Sequence, residues 1–304
     1  MVQGAINILQ SSINPIDTRI SALPSFILVF GGPLGDPKKS ARQLFLNWVD
    51  LNRPDLREWM RKPEDYTDWD SLDGYANLID FERDAVCLTR AVVLFSESPG
   101  SHAELGAFCM DPILSERLFV VIGEDHYNAG SFISKGPIKK IEDVSEESIC
   151  TVRGIDSVVV QPELQQIADS LDAKLKIFPK TTYFDPKRRR DQFLLIADLI
   201  ELFGALIAHE IVDLCGLLGF NSNVPEIRGL LRQLSRFQII TSVKKNTYLY
   251  YIPTAHRFQF LSYKSLNGNA RFDRMRFKVT LSRDWLLGDK RRHGAYADIH
   301  GGLE

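Results

Sequence analysis

The residues best suited to chemistry lie in one run, Glu97-Ser98-Pro99-Gly100-Ser101-His102-Ala103-Glu104-Leu105-Gly106. Pro99 and Gly100 predict a tight turn, and Gly100 permits a positive φ and close backbone approach to a ligand. Ser101 is placed to cap a following helix, whose free amides and dipole favour an anion such as phosphate. Glu104 then falls in the first helical turn, where the dipole keeps a carboxylate ionised and available. The small residues Ala103, Gly106 and Ala107 leave space around it. Ser101-x-x-Glu104 also fits a capping box, in which the glutamate only bonds back to the helix start. Glu97 is a second acid that capping does not need.

The elements that must position this run are legible from apolar patterning. Phe26–Phe30 is a bare apolar strand ending at Gly31-Gly32-Pro33-Leu34-Gly35. Ala41, Leu44, Phe45, Trp48 and Val49 then form one helical stripe, with Ser40 as its N-cap. Residues 53 to 74 are polar and turn-rich, and a second helix is expected over about 71 to 88. Ala91–Phe95 repeats the bare strand and runs into Ser96–Ser101, and Leu118–Ile122 is a third. Strand, turn and helix in repetition predict a doubly wound, flavodoxin-like α/β parallel sheet. Such sheets bind ligands beyond the carboxyl ends of their strands. Gly31-Gly32 and Ser96–Ser101 both lie at such ends.

Past residue 180 the pattern changes. Asp185–Arg190 reads as a charged, solvated link, helices follow to about Phe220, and Val224–Phe237 carries Ile227, Leu230, Leu231 and Leu234 on one face. Gln238–Thr241 and Tyr248–Ile252 flank a basic turn, Lys244-Lys245-Asn246-Thr247. Helix, strand, basic turn, strand is the order of a winged helix, and a wing commonly contacts phosphate. The tail is locally basic, with Arg271, Arg274, Arg276, Arg291 and Arg292. The expected division is therefore 1–180, the α/β domain, and 181–304, a helical, winged-helix-like domain that recognises a partner.

Phe95-x-Glu97-Ser98-Pro99-Gly100-Ser101-x-x-Glu104-Leu105-Gly106-Ala107-Phe108 resembles the signature of retron-associated effector toxins. Those are nucleoside-deoxyribosyltransferase-like proteins with a C-terminal winged-helix domain. Leu28–Gly32, Pro63-Glu64-Asp65, Glu82 and Ser131–Pro137 resemble further elements of that family, over about residues 26 to 141. The resemblance implies an N-glycosidase whose catalytic glutamate is Glu104. Gly31, Gly32, Ser98, Gly100 and Ser101 would line phosphate and ribose, and Glu82 would contact ribose or base. It also implies a toxin silenced by a reverse transcriptase and its multicopy RNA–DNA hybrid, released on phage infection, and assembled as a homo-oligomer or larger complex. Transferases of this fold usually carry an acid six residues before the nucleophile; here that position is Ser98. A leaving group that needs no proton, such as the cationic nicotinamide of NAD, suits that departure, so NAD is the expected substrate and no cofactor or metal is required. Cleavage passes through an oxocarbenium-like state that a carboxylate stabilises or attacks.

Composition removes other classes. The chain has 304 residues, a formal net charge of -2, 44% hydrophobic and 25% charged residues. No global basic field draws it to nucleic acid or membrane. Cys87, Cys109, Cys150 and Cys215 are scattered through apolar stretches and predict buried thiols. None of the six histidines has metal spacing with another; His209 reads as a core histidine and His102 as a solvated helix residue. The segment from Phe193 to Phe220 is apolar but holds Asp198, Glu201, His209, Glu210 and Asp213, which predicts buried helices and no membrane span. No signal peptide is evident, so a cytoplasmic location is expected. Asp65, Asp70, Asp80 and Asp84 are candidates for a second acid. Two rival readings are a nucleotide sensor with a dead pocket and a DNA-binding winged-helix regulator.

Overall fold

Ten strands form in chain order: β1 Ile13–Ile20, β2 Ile27–Phe30, β3 Met60–Arg61, β4 Ala91–Phe95, β5 Leu118–Gly123, β6 Ile149–Val152, β7 Thr182–Tyr183, β8 Ile240–Lys245, β9 Tyr248–Pro253 and β10 Leu261–Ser265. The computed structural model describes residues 2–66, 75, 77–177, 181–254, 258–266 and 272–301. The chain divides into two compact units, one of Ser25–Asp70 and Tyr75–Pro179, the other of Met1–Pro24, Ser71–Gly74 and Lys180–Glu304.

In the first unit five strands form a sheet in the order β3-β2-β4-β5-β6, with every neighbouring pair parallel. Counted among themselves, these strands run second, first, third, fourth, fifth. The order reverses between β2 and β4, the point at which open α/β sheets form their ligand crevice. All residues of β2, β4 and β5 are buried. A parallel sheet covered on both faces demands such unbroken apolar runs, which explains why these strands stand out in the sequence. Helix Ala41–Asn52 begins at Ser40, whose hydroxyl accepts from Gln43 N. Its Ala41, Phe45 and Val49 join Val29, Val93 and Phe95 in the core. Burying a side chain such as Phe45 or Val49 stabilises the unit by ~1.5–3 kcal/mol. The second helix starts at Leu78, later than expected, because Asn77 accepts from Asp80 N and caps it. Residues 71–74 and 76 of the expected helix, and Asp70, lie outside the described residues. Strands β3 and β6 have no counterpart in the sequence reading.

The second unit carries helices Val2–Ser12, Arg189–Phe203, Ala208–Leu217, Val224–Arg236, Arg274–Leu281 and Lys290–His300. Strand β1 runs antiparallel between β10 and β7. That pairing is why Met1–Pro24, which a single cut at 180 assigns to the α/β domain, clusters with the C-terminal residues. Ile227, Leu230, Leu231 and Leu234 are fully buried, as the stripe requires. β8 and β9 form a hairpin whose turn is Asn246-Thr247, with Asn246 at φ 55°. Lys244 and Lys245 stand in β8 rather than in the turn, and Lys245 pairs with Asp298 at 2.7 Å. Leu206, between helices Arg189–Phe203 and Ala208–Leu217, bridges antiparallel to Tyr251.

Two further expectations are corrected here. Arg190 in the expected solvated link is buried and paired with Asp191 at 2.5 Å. His209 is exposed, because the buried face of its helix is Ala208, Glu210, Ile211, Leu214 and Cys215. All four cysteines are buried and free. Among the described residues no helix is long and apolar enough to cross a membrane.

Candidate active site

The acid just past β4, Glu97, ties the site together. Its Oε1 accepts from Gly32 N at 2.7 Å, Ser40 Oγ at 3.0 Å and Arg42 N at 3.0 Å, and its Oε2 accepts from Ala41 N at 2.6 Å. It therefore fills the anion position at the start of helix Ala41–Asn52, where unpaired amides gather. A Cβ on Gly31 would lie 2.9 Å from Glu97 Oε1 and 2.9 Å from Arg42 Cβ; one on Gly32 would lie 2.9 Å from Glu97 Cδ. Gly31 and Gly32 thus make room for the protein's own carboxylate. The amide of Gly32 is thereby taken by Glu97.

The helix carrying Glu104 spans Pro99–Phe108. Its N-cap is Ser98, not Ser101: Ser98 Oγ accepts from Ser101 N at 3.2 Å. Pro99 occupies the first helical position, where its missing N–H costs nothing. Ser101 Oγ accepts from Ser98 N at 2.9 Å and Glu97 N at 3.2 Å, and donates to Ser98 O at 2.9 Å. Ser101 is wholly buried, so its hydroxyl closes the turn and does not line a pocket. Gly100 is exposed and helical, and only Ser98 Oγ, 3.9 Å away, would meet a Cβ there; the positive φ expected of it is not used.

With the cap at Ser98, Glu104 falls in the second turn and has no capping duty. Its Oε2 is buried and, among the described residues, has no hydrogen-bond partner. Burial pushes its carboxyl up to about 7, with Arg42 pulling down and Glu64 pushing up. The expectation of a dipole-held carboxylate is corrected: desolvation outweighs the helix dipole once the residue moves out of the first turn.

Glu82 projects from helix Leu78–Cys87 and is 7% exposed. Among the described residues it makes no hydrogen bond. Burial pushes it up to about 8, and the charges of Glu104 and then Glu64 add to that. Arg42 stands at the second position of its helix and is 3% exposed. Its guanidinium donates to Val29 O at 3.3 Å, to Gly32 O, and to Glu64 at 3.2 and 2.8 Å. Glu64 sits in the single turn Pro63–Asp65 after β3. The remaining candidate acids serve local structure. Asp65 accepts from Lys62 N at 3.0 Å, Asp80 from Asn77 Nδ2 at 3.0 Å, and Asp84 from Tyr75 OH at 2.7 Å.

Four elements therefore bring Arg42, Glu64, Glu82 and Glu104 together at the carboxyl edge of β2, β3 and β4. Sequence reasoning missed Arg42 and the Arg42–Glu64 pair. The available signal was a cation beside the buried face of an amphipathic helix, immediately after a glycine loop. Burial raises both carboxyls far above the ordinary carboxylate range, and the charge of Glu104 raises Glu82 further, so the two suit paired acid and base roles near neutral pH. Among the described residues no group of three or more histidine, cysteine or acidic side chains is arranged to hold a metal ion.

The family model of the STM3845 retron effector protein matches residues 38–242. Two curated Escherichia coli proteins, of retron Ec73 and retron Ec86, are similar and are both named "putative ribosyltransferase/DNA-binding protein". The Ec73 protein is 28% identical over 245 residues, 74% of this chain and 76% of that protein. The Ec86 protein is 27% identical over 133 residues, 42% of this chain and 41% of that protein. The chain belongs to the STM3845 retron effector family.

Proposed function

From membership in that family and from the carboxyl pair, we propose that the protein is a retron effector that cleaves the N-glycosidic bond of a nucleotide. Glu104 is the ionised carboxylate that attacks or stabilises the anomeric carbon. Glu82 is the protonated carboxyl that donates to the departing base. The observation that carries this reading is a pair of buried acids, Glu104 and Glu82, at the point where the strand order reverses; among the described residues Glu104 Oε2 has no hydrogen-bond partner and Glu82 makes no hydrogen bond. A buried carboxyl without a partner costs stability, so a ligand that completes its bonding is the physical reason to keep it. Strand order second-first-third-fourth-fifth is that of flavodoxin-like sheets, whose ligand lies at this switch point.

NAD is the first substrate to test, because its pyridinium leaves without a proton; Glu82 extends the reaction to neutral bases. The departure at Ser98 is met by Glu82, since Glu97 is committed to the helix start. The second unit is read as a winged helix. Its helices Arg189–Phe203, Ala208–Leu217 and Val224–Arg236, the Leu206 bridge and the β8–β9 hairpin follow that order. It would dock the reverse transcriptase and its RNA–DNA hybrid, which keep the toxin silent, in the cytoplasm and within a larger assembly. The names of the two E. coli relatives, with both a ribosyltransferase and a DNA-binding element, support this division of labour.

The test is chromatography of NAD, ATP and deoxynucleoside monophosphates after incubation with wild type and with Glu104→Gln. Wild type is expected to release free base or nicotinamide, and the variant to lose about 10² to 10³ in rate or more. No product from any nucleotide would reject the glycosidase reading in favour of a sensor.

A further inference from the structure

We propose that Glu64 reads the sugar, selecting ribose over 2-deoxyribose; the inference rests on the N-glycosidase reading above. Arg42 grips Glu64 through both carboxylate oxygens, at 2.8 and 3.2 Å. A forked pair of this kind fixes the plane of the carboxylate as well as its position. The pair is anchored from inside: the Arg42 side chain is 3% exposed and the Glu64 side chain 48%. A carboxylate has about four acceptor directions. Arg42 takes two; the others meet no donor among the described residues, and the side chain stands half exposed in the turn Pro63–Asp65, which follows β3 beside β2.

The neighbours of Glu64 identify what comes to it. Arg42, which holds Glu64, also donates to Gly32 O, and Gly32 N donates to Glu97, just before the cap of the helix that carries Glu104, so Glu64 and Glu104 stand at the same strand-end edge and a sugar whose anomeric carbon meets Glu104 lies within reach of Glu64. Independently, Glu82 is nine-tenths buried and, among the described residues, makes no hydrogen bond, which marks the space beside it as one that a ligand completes. A carboxylate accepts and never donates. The donors next to the anomeric carbon of a nucleotide are the ribose hydroxyls, and the 2′ hydroxyl is the nearest. Hydrogen bonds to that hydroxyl strengthen as positive charge grows on the ring, so Glu64 acts most in the transition state. A 2-deoxy sugar offers no donor there and leaves the fixed carboxylate facing a methylene. A phosphate is repelled by the same charge, so the phosphate end of the substrate lies away from Glu64.

The measurement is kcat/KM of the full-length protein for matched pairs, ATP against dATP and NAD against its analogue with 2-deoxyribose on the nicotinamide side. Wild type, Glu64→Gln and Glu64→Ala are compared. Wild type is expected to favour the ribose member by at least about 10-fold, and both variants to shrink that ratio by about 10- to 100-fold, the span for a hydrogen bond to a charged group. A wild type that prefers the deoxy member overturns the inference. So does an unchanged ratio in variants whose rates fall equally on both members, because Glu64 would then only neutralise Arg42. Release of no base from any member by wild type overturns the N-glycosidase reading and this inference with it, and is distinguished by needing no variant.

Discussion

Glu82→Gln separates a buried acid from an ordinary helix residue by two readouts. In the folded protein Glu82 is held near 8, against an ordinary 4.5. Between those values the folded chain keeps a proton that the unfolded chain has lost. Its contribution is therefore fully present below about pH 4.5 and is lost as pH rises towards 8. At ~1.36 kcal/mol for each tenfold change in proton affinity, the loss by pH 8 is on the order of 4 kcal/mol. The substituted amide carries no proton to lose, so the variant lacks this part of the pH dependence and keeps only that of the other groups, Glu104 among them. Urea unfolding followed by tryptophan fluorescence, in a background with Trp285 of the second unit replaced by Phe, reads the unit that holds Trp48 and Trp59, both packed on its core. The stability gap between variant and wild type is expected to widen steadily from pH 5 to pH 8 in favour of the variant. Parallel pH dependences would refute the argument, because Glu82 would then be ionised at no cost. The same variant tests the acid role: turnover of a neutral-base nucleotide should fall by about 10²- to 10⁴-fold, while NAD, whose base leaves as a neutral molecule without a proton, should lose much less. For wild type the two carboxyls predict a rate maximum between about pH 7 and 8.

Glu97→Ala should destabilise the same unit by about 2–4 kcal/mol, because Gly32 N, Ala41 N and Arg42 N lose their shared acceptor. A urea midpoint equal to that of wild type would remove Glu97 from its structural role. In the second unit, Asp198 is fully buried and accepts from Phe260 N at 2.9 Å, Leu261 N at 3.1 Å and Tyr263 OH at 2.8 Å while pairing with Arg274 at 2.8 Å. Asp198→Asn should cost about 3–5 kcal/mol, since Arg274 keeps a buried charge with a weakened partner. Limited proteolysis should then cut this unit faster, and an unchanged digestion rate would contradict the assignment.

The parallel strands were legible because burial on both faces leaves only apolar residues. Phe26–Phe30, Ala91–Phe95 and Leu118–Ile122 match β2, β4 and β5 within a residue. β3 escaped notice because two residues in a polar stretch have no period to detect. β1 escaped because its partners lie roughly 160 to 250 positions away, and Ile13–Ile20 alternates imperfectly around Pro15. At the site, Glu104 was found by its place after a strand. The cap was misplaced because Pro99-Gly100 is equally a turn and a helix start, and only the tertiary setting selects between them. The duties of Glu97, Arg42 and Glu64 come from contacts across 22 to 65 positions of sequence, which no local pattern encodes.

The pairing of β1 with β10 also sets an order in time. A ribosome finishes everything the first unit needs while residues 180 onward are still to be made. At roughly 5–20 residues per second, the remaining stretch takes about 6 to 25 seconds. Throughout that interval β1, already outside, waits for a neighbour that does not yet exist. A transcript cut short near residue 200 would yield the first unit, which carries Glu82 and Glu104, without β10, the strand that β1 of the second unit pairs with.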